Sequence, residues 1–286
     1  MPPPDARRRL AGFVRLGHPF PSLLDGAATA AIATLAGADP WAAARLGASM
    51  VALQVSIGAV NDVLDARADA EHKPGKPIPA GLVGLDTARA VVVVSATIGL
   101  ILAAPFGPGC VALAGLGLAI GYGYDLVAKG TSWSWLPFAL GTPLLPVFAW
   151  FGATGRLPWT FAILLPLAVL AGTGLAIANA RADLERDASA GLASVAGRLG
   201  PGRAWLVQAA LLAAVVVIAL GTLWGAAAAA PAVIAAGGGS LAIAAGIGWA
   251  RGGEASAARR ERAWEIEAVG VAVLATAWLA GIGDLR

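Results

Sequence analysis

Long apolar runs separated by short polar or Pro- and Gly-rich connections dominate this chain. A helix needs about 20 mainly apolar residues to cross a bilayer, with a working range of about 17–25. On that measure nine segments read as membrane-spanning helices: 20–37, 41–60, 87–104, 109–124, 136–152, 159–180, 203–224, 227–249 and 264–282. Pro105 to Gly109 makes a tight turn before the short fourth segment, and Pro231 with Gly237 to Gly239 interrupts the Ala-rich eighth. Arg7, Arg8 and Arg9 ahead of the first run outline a cleavable leader. Asp25 breaks that run and eight further spans follow it, so the expectation is a retained helix.

Composition agrees with this pattern. Of 286 residues, 58% are hydrophobic and only 13% charged, against about 25% charged in soluble domains. Mean hydropathy is +0.75. So much apolar side chain with so little charge excludes a disordered chain, and Cys110, the lone cysteine, excludes a disulfide scaffold. The net charge of +3 is scattered over short loops, which gives no nucleic-acid surface. The fold class is therefore an all-α polytopic membrane protein, read as one integral-membrane domain over residues 1–286. The 38 glycines let helix backbones approach closely. Trp41, Trp133, Trp135, Trp159 and Trp264 fall near helix ends, where an aromatic belt belongs.

Charge sets the orientation. With nine spans and the N-terminus inside, only Arg45, Arg156 and Arg286 of the 20 Lys and Arg face outward. This follows the positive-inside rule, and a helix gained or lost in the middle would scramble it. The expectation is an inner or plasma membrane protein with a cytoplasmic N-terminus and an external C-terminus.

Seven of the 17 acids fall in two clusters. One is Asn61-Asp62-x-x-Asp65-x-x-x-Asp69 with Glu71, and the other is Asn179-x-x-x-Asp183-x-Glu185-x-Asp187. Both contain Asn-x-x-x-Asp-x-x-x-Asp, whose four-residue steps place the three polar residues on one helix face. Both lie at cytoplasmic helix ends, of the second and the sixth spans. Like charges four apart repel, and acids at membrane depth are expensive and usually functional. Oxygen ligands without neighbouring cysteine or histidine favour Mg²⁺, with Mn²⁺ able to substitute, over zinc. His18 and His72 are single loop or interface histidines on this reading.

Mg²⁺ held by carboxylates completes its octahedron with water and substrate phosphates. Basic residues stand close by: Lys73 and Lys76 follow the first cluster in a stiff Pro- and Gly-rich loop, Lys129 follows Tyr124, and Arg198 follows the second cluster. Carboxylates, basic residues and an apolar bundle together describe a site for a diphosphate carrying a hydrocarbon tail.

At these residues the sequence resembles the UbiA-type intramembrane prenyltransferases. Asn61 to Asp69 looks like the family's first aspartate motif. Lys76-Pro77-Ile78-Pro79-Ala80-Gly81 resembles its Arg-Pro-Ile-Pro-Ser-Gly loop, and Tyr124 to Lys129 its Tyr-x-x-x-x-Lys element. Asp183-x-Glu185-x-Asp187-x-x-x-Gly191, running on to Arg198-Leu199-Gly200, is similar to the second motif. Arg15 with His18-Pro19 resembles the start of the first helix. Three positions depart from the pattern: Lys76 stands for Arg, Ala180 for an acid or amide, and Arg186 for glycine. The Asp-x-Glu-x-Asp form resembles the menaquinone, chlorophyll and archaeal-lipid branches more than the 4-hydroxybenzoate branch.

The resemblance implies nine helices around a central lipid-open cavity capped on the cytoplasmic side by the two motifs. It also implies Mg²⁺-dependent transfer of a prenyl chain from its diphosphate to an aromatic, quinone-precursor or lipid acceptor. Asp65, Asp69, Asp183 and Asp187 would hold the metal, with Asn61 and Asp62 in the first ion's shell. Lys73, Lys76, Lys129 and Arg198 would face the diphosphate, and Tyr124, Asn179, Glu185 and Arg15 would support the site. A terpene cyclase on the same scaffold is the alternative, because it would use the same metal site without a polar acceptor. A cation-coupled transporter fits less well: its acids belong near the midplane, often in inverted repeats, whereas these clusters share one side.

Overall fold

The computed structural model describes residues 5–189, 191–252 and 255–282. Arg286, expected on the outer face, lies outside them. Twelve α-helices run in order among these residues: α1 Ala6–Leu16, α2 Pro19–Leu35, α3 Pro40–His72, α4 Leu85–Ala103, α5 Pro108–Gly123, α6 Leu136–Thr154, α7 Phe161–Ala182, α8 Leu184–Ser189, α9 Val195–Leu199, α10 Pro201–Gly225, α11 Ala230–Trp249 and α12 Ala257–Gly281.

Local chemistry accounts for their ends. Asp39 caps α3 by accepting from the backbone N–H groups of Trp41 and Ala42, with Pro40 at the first helical position. Ser256 caps α12 in the same way through Arg259 N–H. Pro143 and Pro146 sit inside α6 and Pro166 inside α7, where membrane helices tolerate them. A π-helical turn over Tyr124–Ala128 continues α5, and irregular turns of this kind recur at functional sites.

Among the described residues, eight helices are long and apolar enough to cross a membrane: α3 to α7 and α10 to α12. The first expected span corresponds to α2, which has 17 residues. Exposure is inverted relative to a water-soluble protein. Ile234, Leu241 and Val217 are 74%, 73% and 69% exposed, while Asp62 and Glu267 are 2% and 0% exposed. An apolar outside around polar buried groups is what a bilayer solvent requires.

The long helices close into a bundle because α12 packs against both α2 and α7. The sequential neighbours α2–α3, α3–α4, α6–α7 and α11–α12 also pack, as does α10 on α7. Backbones approach closely where α11 meets α12: a Cβ on Gly239 would come within 2.8 Å of Gly270 O, and a Cβ on Gly270 equally close to Gly239 O. One apolar cluster, with Trp150, Phe161, Leu212 and Trp278, joins α6, α7, α10 and α12. A second, with Leu46, Leu53, Cys110 and Phe148, joins α3, α5 and α6. Between them the bundle encloses a cavity of about 780 Å³.

Two expectations change. The second acidic motif is not one continuous helix. The helix α7 ends at Ala182, Asp183 is its C-terminal cap residue (φ −104°, ψ 7°), and α8 restarts at Leu184. Asp183 and Asp187 therefore do not share the single helix face that their spacing predicts. Trp264, expected in the interfacial belt, instead lines the cavity and packs edge-on against Phe20 with ring centroids 5.7 Å apart. Trp41, Trp133 and Trp159 are exposed, as a belt requires.

Candidate active site at the mouth of the cavity

The C-terminal ends of α3 and α7 meet at one end of the bundle. Lys73, the residue after α3, places its Nζ 3.4 Å from Asp183 Oδ1. The two acidic motifs, far apart in sequence, therefore border one opening.

In the first motif, Asp62 and Asp69 lie about two turns apart on α3 and are both buried. Lys76 bridges them, its Nζ 2.9 Å from Asp62 Oδ1 and 2.7 Å from Asp69 Oδ2. Burial alone would lower the Lys76 pKa, but the charge of Asp62 and the bonds to both carboxylates outweigh it and hold the ammonium above its ordinary value. His18 Nε2 lies 3.2 Å from the same Asp62 oxygen. His18 holds a left-handed backbone (φ 45°) at the start of α2, and a Cβ on Gly58 would collide with its ring. A histidine read from the sequence as a single loop or interface residue is thus packed against α3 as a partner of Asp62.

Asp65 and Asn61 line the cavity. Lys129 Nζ donates to Asp65 and stands 3.6 Å from Asp125 Oδ1, while Asn61 Nδ2 donates to Asp125 Oδ1 at 2.6 Å. Asp125, one residue after Tyr124 in the π-helical turn, is a cavity-lining acid that the sequence reading did not single out. The lone signal was its place between Tyr124 and Lys129 in an otherwise apolar span. Tyr124 lines the cavity beside it and packs edge-on against Phe138.

In the second motif, Asp183 and Asn179 line the cavity. Arg186 donates to Asp183 and lies 3.6 Å from Asp187 Oδ1, so the residue standing where glycine was expected ties the motif together. Asp187 is buried behind the wall, and desolvation pushes its carboxyl above the ordinary carboxylate range despite Arg186. Glu185 points away and pairs with Arg260 on α12, whose hydrogen bond holds its pKa low. Arg198 on α9 is exposed and is not part of the cavity wall. Arg15, Lys73, Lys76 and Lys129 are part of it, and Arg15 Nη2 also donates to Gly75 O at 2.9 Å, fixing the loop that carries Lys76.

The donor set is oxygen-only, as a hard divalent cation prefers. Among the described residues no three acidic, histidine or cysteine side chains are grouped as metal ligands. Instead Asp65, Asp125 and Asp183 at the mouth are each paired with a lysine or arginine of the chain itself, as is Glu265 on α12 with Arg262. Asp125 Oδ2 is buried without a hydrogen-bond partner, which leaves an acceptor lacking a cation. The residues fit Mg²⁺ once the ammonium groups turn to another anion.

Below the mouth the wall is mainly apolar, with Leu24, Met50, Leu53, Ile57, Leu113, Leu145 and Leu175 among its residues. An anion-handling rim over a hydrocarbon pocket is thus built from α2, α3, α5, α6, α7 and α12.

The comparisons with known proteins bear on this geometry. The chain is 30% identical over 178 residues to the digeranylgeranylglyceryl phosphate synthase of Methanopyrus kandleri, a match covering 60% of this chain and 64% of that relative. The aligned stretch thus spans under two thirds of the relative's length. A UbiA homolog from Aeropyrum pernix K1 in its apo form superposes with a TM-score of 0.74 at 21% identity, covering 89% of this chain and 96% of the other. A UbiA homolog from Archaeoglobus fulgidus, solved bound to GPP and Mg²⁺, superposes at 0.64 with 18% identity, covering 92% and 99%. At these identities the structures establish the shared fold. The sequence profile of the UbiA prenyltransferase family matches residues 23–266, and the chain belongs to that family.

Proposed function

We propose that this protein is a Mg²⁺-dependent intramembrane prenyltransferase that moves a prenyl chain from its diphosphate to an acceptor held in the membrane. The observation that carries the reading is the meeting of two acidic motifs, bridged by Lys73 and Asp183, over a largely apolar cavity of about 780 Å³. The Archaeoglobus homolog bound to GPP and Mg²⁺ supports the donor and the metal. The name of the Methanopyrus relative supports a glyceryl phosphate lipid as acceptor in preference to a quinone precursor.

On this reading α2 joins the eight longer helices as a ninth span. The N-terminus and the cavity mouth face the cytoplasm, and the C-terminus lies outside. The charge asymmetry supports that orientation, and the whole chain acts as one domain of a plasma membrane enzyme.

Asp65 and Asp183 on the cavity wall would hold the metal with Asn61 and Asp125, and Asp62, Asp69 and Asp187, set behind that wall, would complete its shell. A bound Mg²⁺ would supply positive charge against the charge developing on the departing diphosphate oxygens. Lys73, Lys76 and Lys129 pair with carboxylates here, and all three line the cavity. With those carboxylates committed to a cation, these ammonium groups would donate to the diphosphate and stabilise the same developing charge. Arg15 keeps the Lys76 loop in place through Gly75 O. Tyr124 and Asn179 border the reacting end of the donor, and the apolar wall below holds the chain and keeps water from the allylic carbon.

The test is full-length protein in nanodiscs given GPP and Mg²⁺, with diphosphate release and organic products followed by mass spectrometry. Prenylated acceptor formed only when a glyceryl lipid or an aromatic acceptor is added supports the reading. Cyclised hydrocarbon from GPP alone would make the protein a terpene cyclase, and no diphosphate release under any condition would reject both.

A further inference from the structure

Away from its mouth the cavity wall is apolar except at Asp25 on α2, Gln54 on α3 and Thr142 on α6. Gln54 Nε2 donates to Asp25 Oδ2. Gln54 precedes Asn61 by seven residues, which sets the pair about 10 Å farther along α3 from the acidic rim. Among the described residues neither side chain makes another hydrogen bond or ion pair, so Asp25 Oδ1 and Gln54 Oε1 have no protein donor.

A carboxylate at this depth is expensive, and a prenyl tail carries no group to satisfy it. Helix packing does not require it either. Beside Asp25, a Cβ on Gly26 would come within 3.0 Å of Gly47 O, and a Cβ on Gly47 within 2.8 Å of Gly26 O. Close backbone approach of this kind already joins α2 to α3. Asp25 is therefore a spare hydrogen-bond acceptor, facing a cavity, with no cation beside it. What its Oδ1 lacks is a donor.

We propose that Asp25 and Gln54 form the subsite that receives a hydroxyl group of the prenyl acceptor. The hydroxyl donates to Asp25, and the second Nε2 hydrogen of Gln54 is available to the hydroxyl oxygen. This rests on the prenyl-transfer reading, and it names the acceptor chemistry as O–H, from a glycerol lipid or a phenol. A methyl ether of the same shape lacks the donor and leaves Asp25 Oδ1 unpaired, the arrangement that discriminates most strongly in polar sites.

Binding to full-length protein in nanodiscs tests the subsite with two probe pairs. One is a geranylgeranyl glycerol ether and its fully O-methylated form; the other is 1-naphthol and 1-methoxynaphthalene. The expected result is a preference of about tenfold for the hydroxyl member of one pair, as for a buried acceptor that is otherwise left without its hydrogen bond, and which pair shows it identifies the source. Replacing both residues, Asp25→Leu with Gln54→Leu, should bring that ratio near one while GPP binding in Mg²⁺ is unchanged. Asp25→Asn, which keeps an oxygen for Gln54 and replaces the other carboxyl oxygen by an NH2 group that cannot accept, should lower the ratio severalfold and carries the test if the double variant does not insert. No preference in the wild type for either pair, or a ratio that survives the substitutions, overturns the subsite. Absence of diphosphate release from GPP by the wild type would instead count against prenyl transfer, a separate readout.

Discussion

Lys73 and Asp183, 3.4 Å apart, tie the end of α3 to the end of α7. Residues at corresponding ends of the second and sixth expected spans meet, and the site exists because they do. The pair is about a third exposed on each side, so its own contribution to stability is small. Its importance is that it registers the two acidic motifs on one opening.

That register gives a topological prediction. A reporter fused after Arg156 should read as external, and one fused after Arg89 or Arg203 as cytoplasmic. Arg89 and Arg203 on opposite faces would be incompatible with a shared mouth.

Metal dependence follows from the carboxylates. Asp65→Asn and Asp183→Asn should abolish prenyl transfer while leaving folding and insertion intact, since Lys129 keeps Asp125 and Arg186 keeps Asp187 as partners. Asp125→Asn should raise the Mg²⁺ concentration needed for half-maximal rate. Wild-type activity should vanish in EDTA and return with Mg²⁺; full turnover in chelator would exclude the metal role.

Lys76 separates stability from catalysis. Lys76→Ala leaves Asp62 and Asp69 buried without their cation, and breaking a buried pair costs about 3–5 kcal/mol. The thermal midpoint should fall without Mg²⁺ and recover in part with it. The rate should drop roughly a hundred- to a thousandfold, as for loss of one oriented donor, with partial retention in Lys76→Arg. Lys129→Ala should lose a similar factor with a smaller fall in midpoint. Because the folded pKa of Lys76 lies above its ordinary 10.5, its contribution to stability is complete below that pH and fades as pH rises through the raised value. Midpoints between pH 6 and 9 should therefore carry no step from Lys76.

A structural network away from the mouth gives an independent check. Arg181 on α7 donates to Gln208 Oε1 at 2.7 Å and to Ala250 O at 2.8 Å, and Gln208 Nε2 lies 2.7 Å from both oxygens of Glu267. All three side chains are nearly inaccessible. Glu267→Ala should lower stability by about 1–3 kcal/mol, because it leaves the buried Gln208 Nε2 without an acceptor. Thermal unfolding in detergent measures this, and an unchanged midpoint would show that the network is solvated.

The helical membrane class, the positions of the long helices and the two acidic clusters with their flanking lysines were legible in the amino-acid sequence alone. Hydrocarbon thickness, helix rise and the cost of burying charge act over a few residues and leave a local pattern. Tertiary structure decided the rest. The break at Asp183, held by Arg186 and Lys73, turned an expected continuous face into two pieces. Glu185 turned outward to Arg260, and Arg198 stayed off the cavity wall. Asp125 and His18 joined the site through Asn61 and Asp62, residues more than forty positions away in each case. Asp25 was visible in the sequence as an interruption of an apolar run, yet only the packing of α2 on α3 placed Gln54 against it and both on the cavity wall. These are matters of which side chain reaches which across the bundle, and pairing energies between helices leave no periodicity along the chain to read.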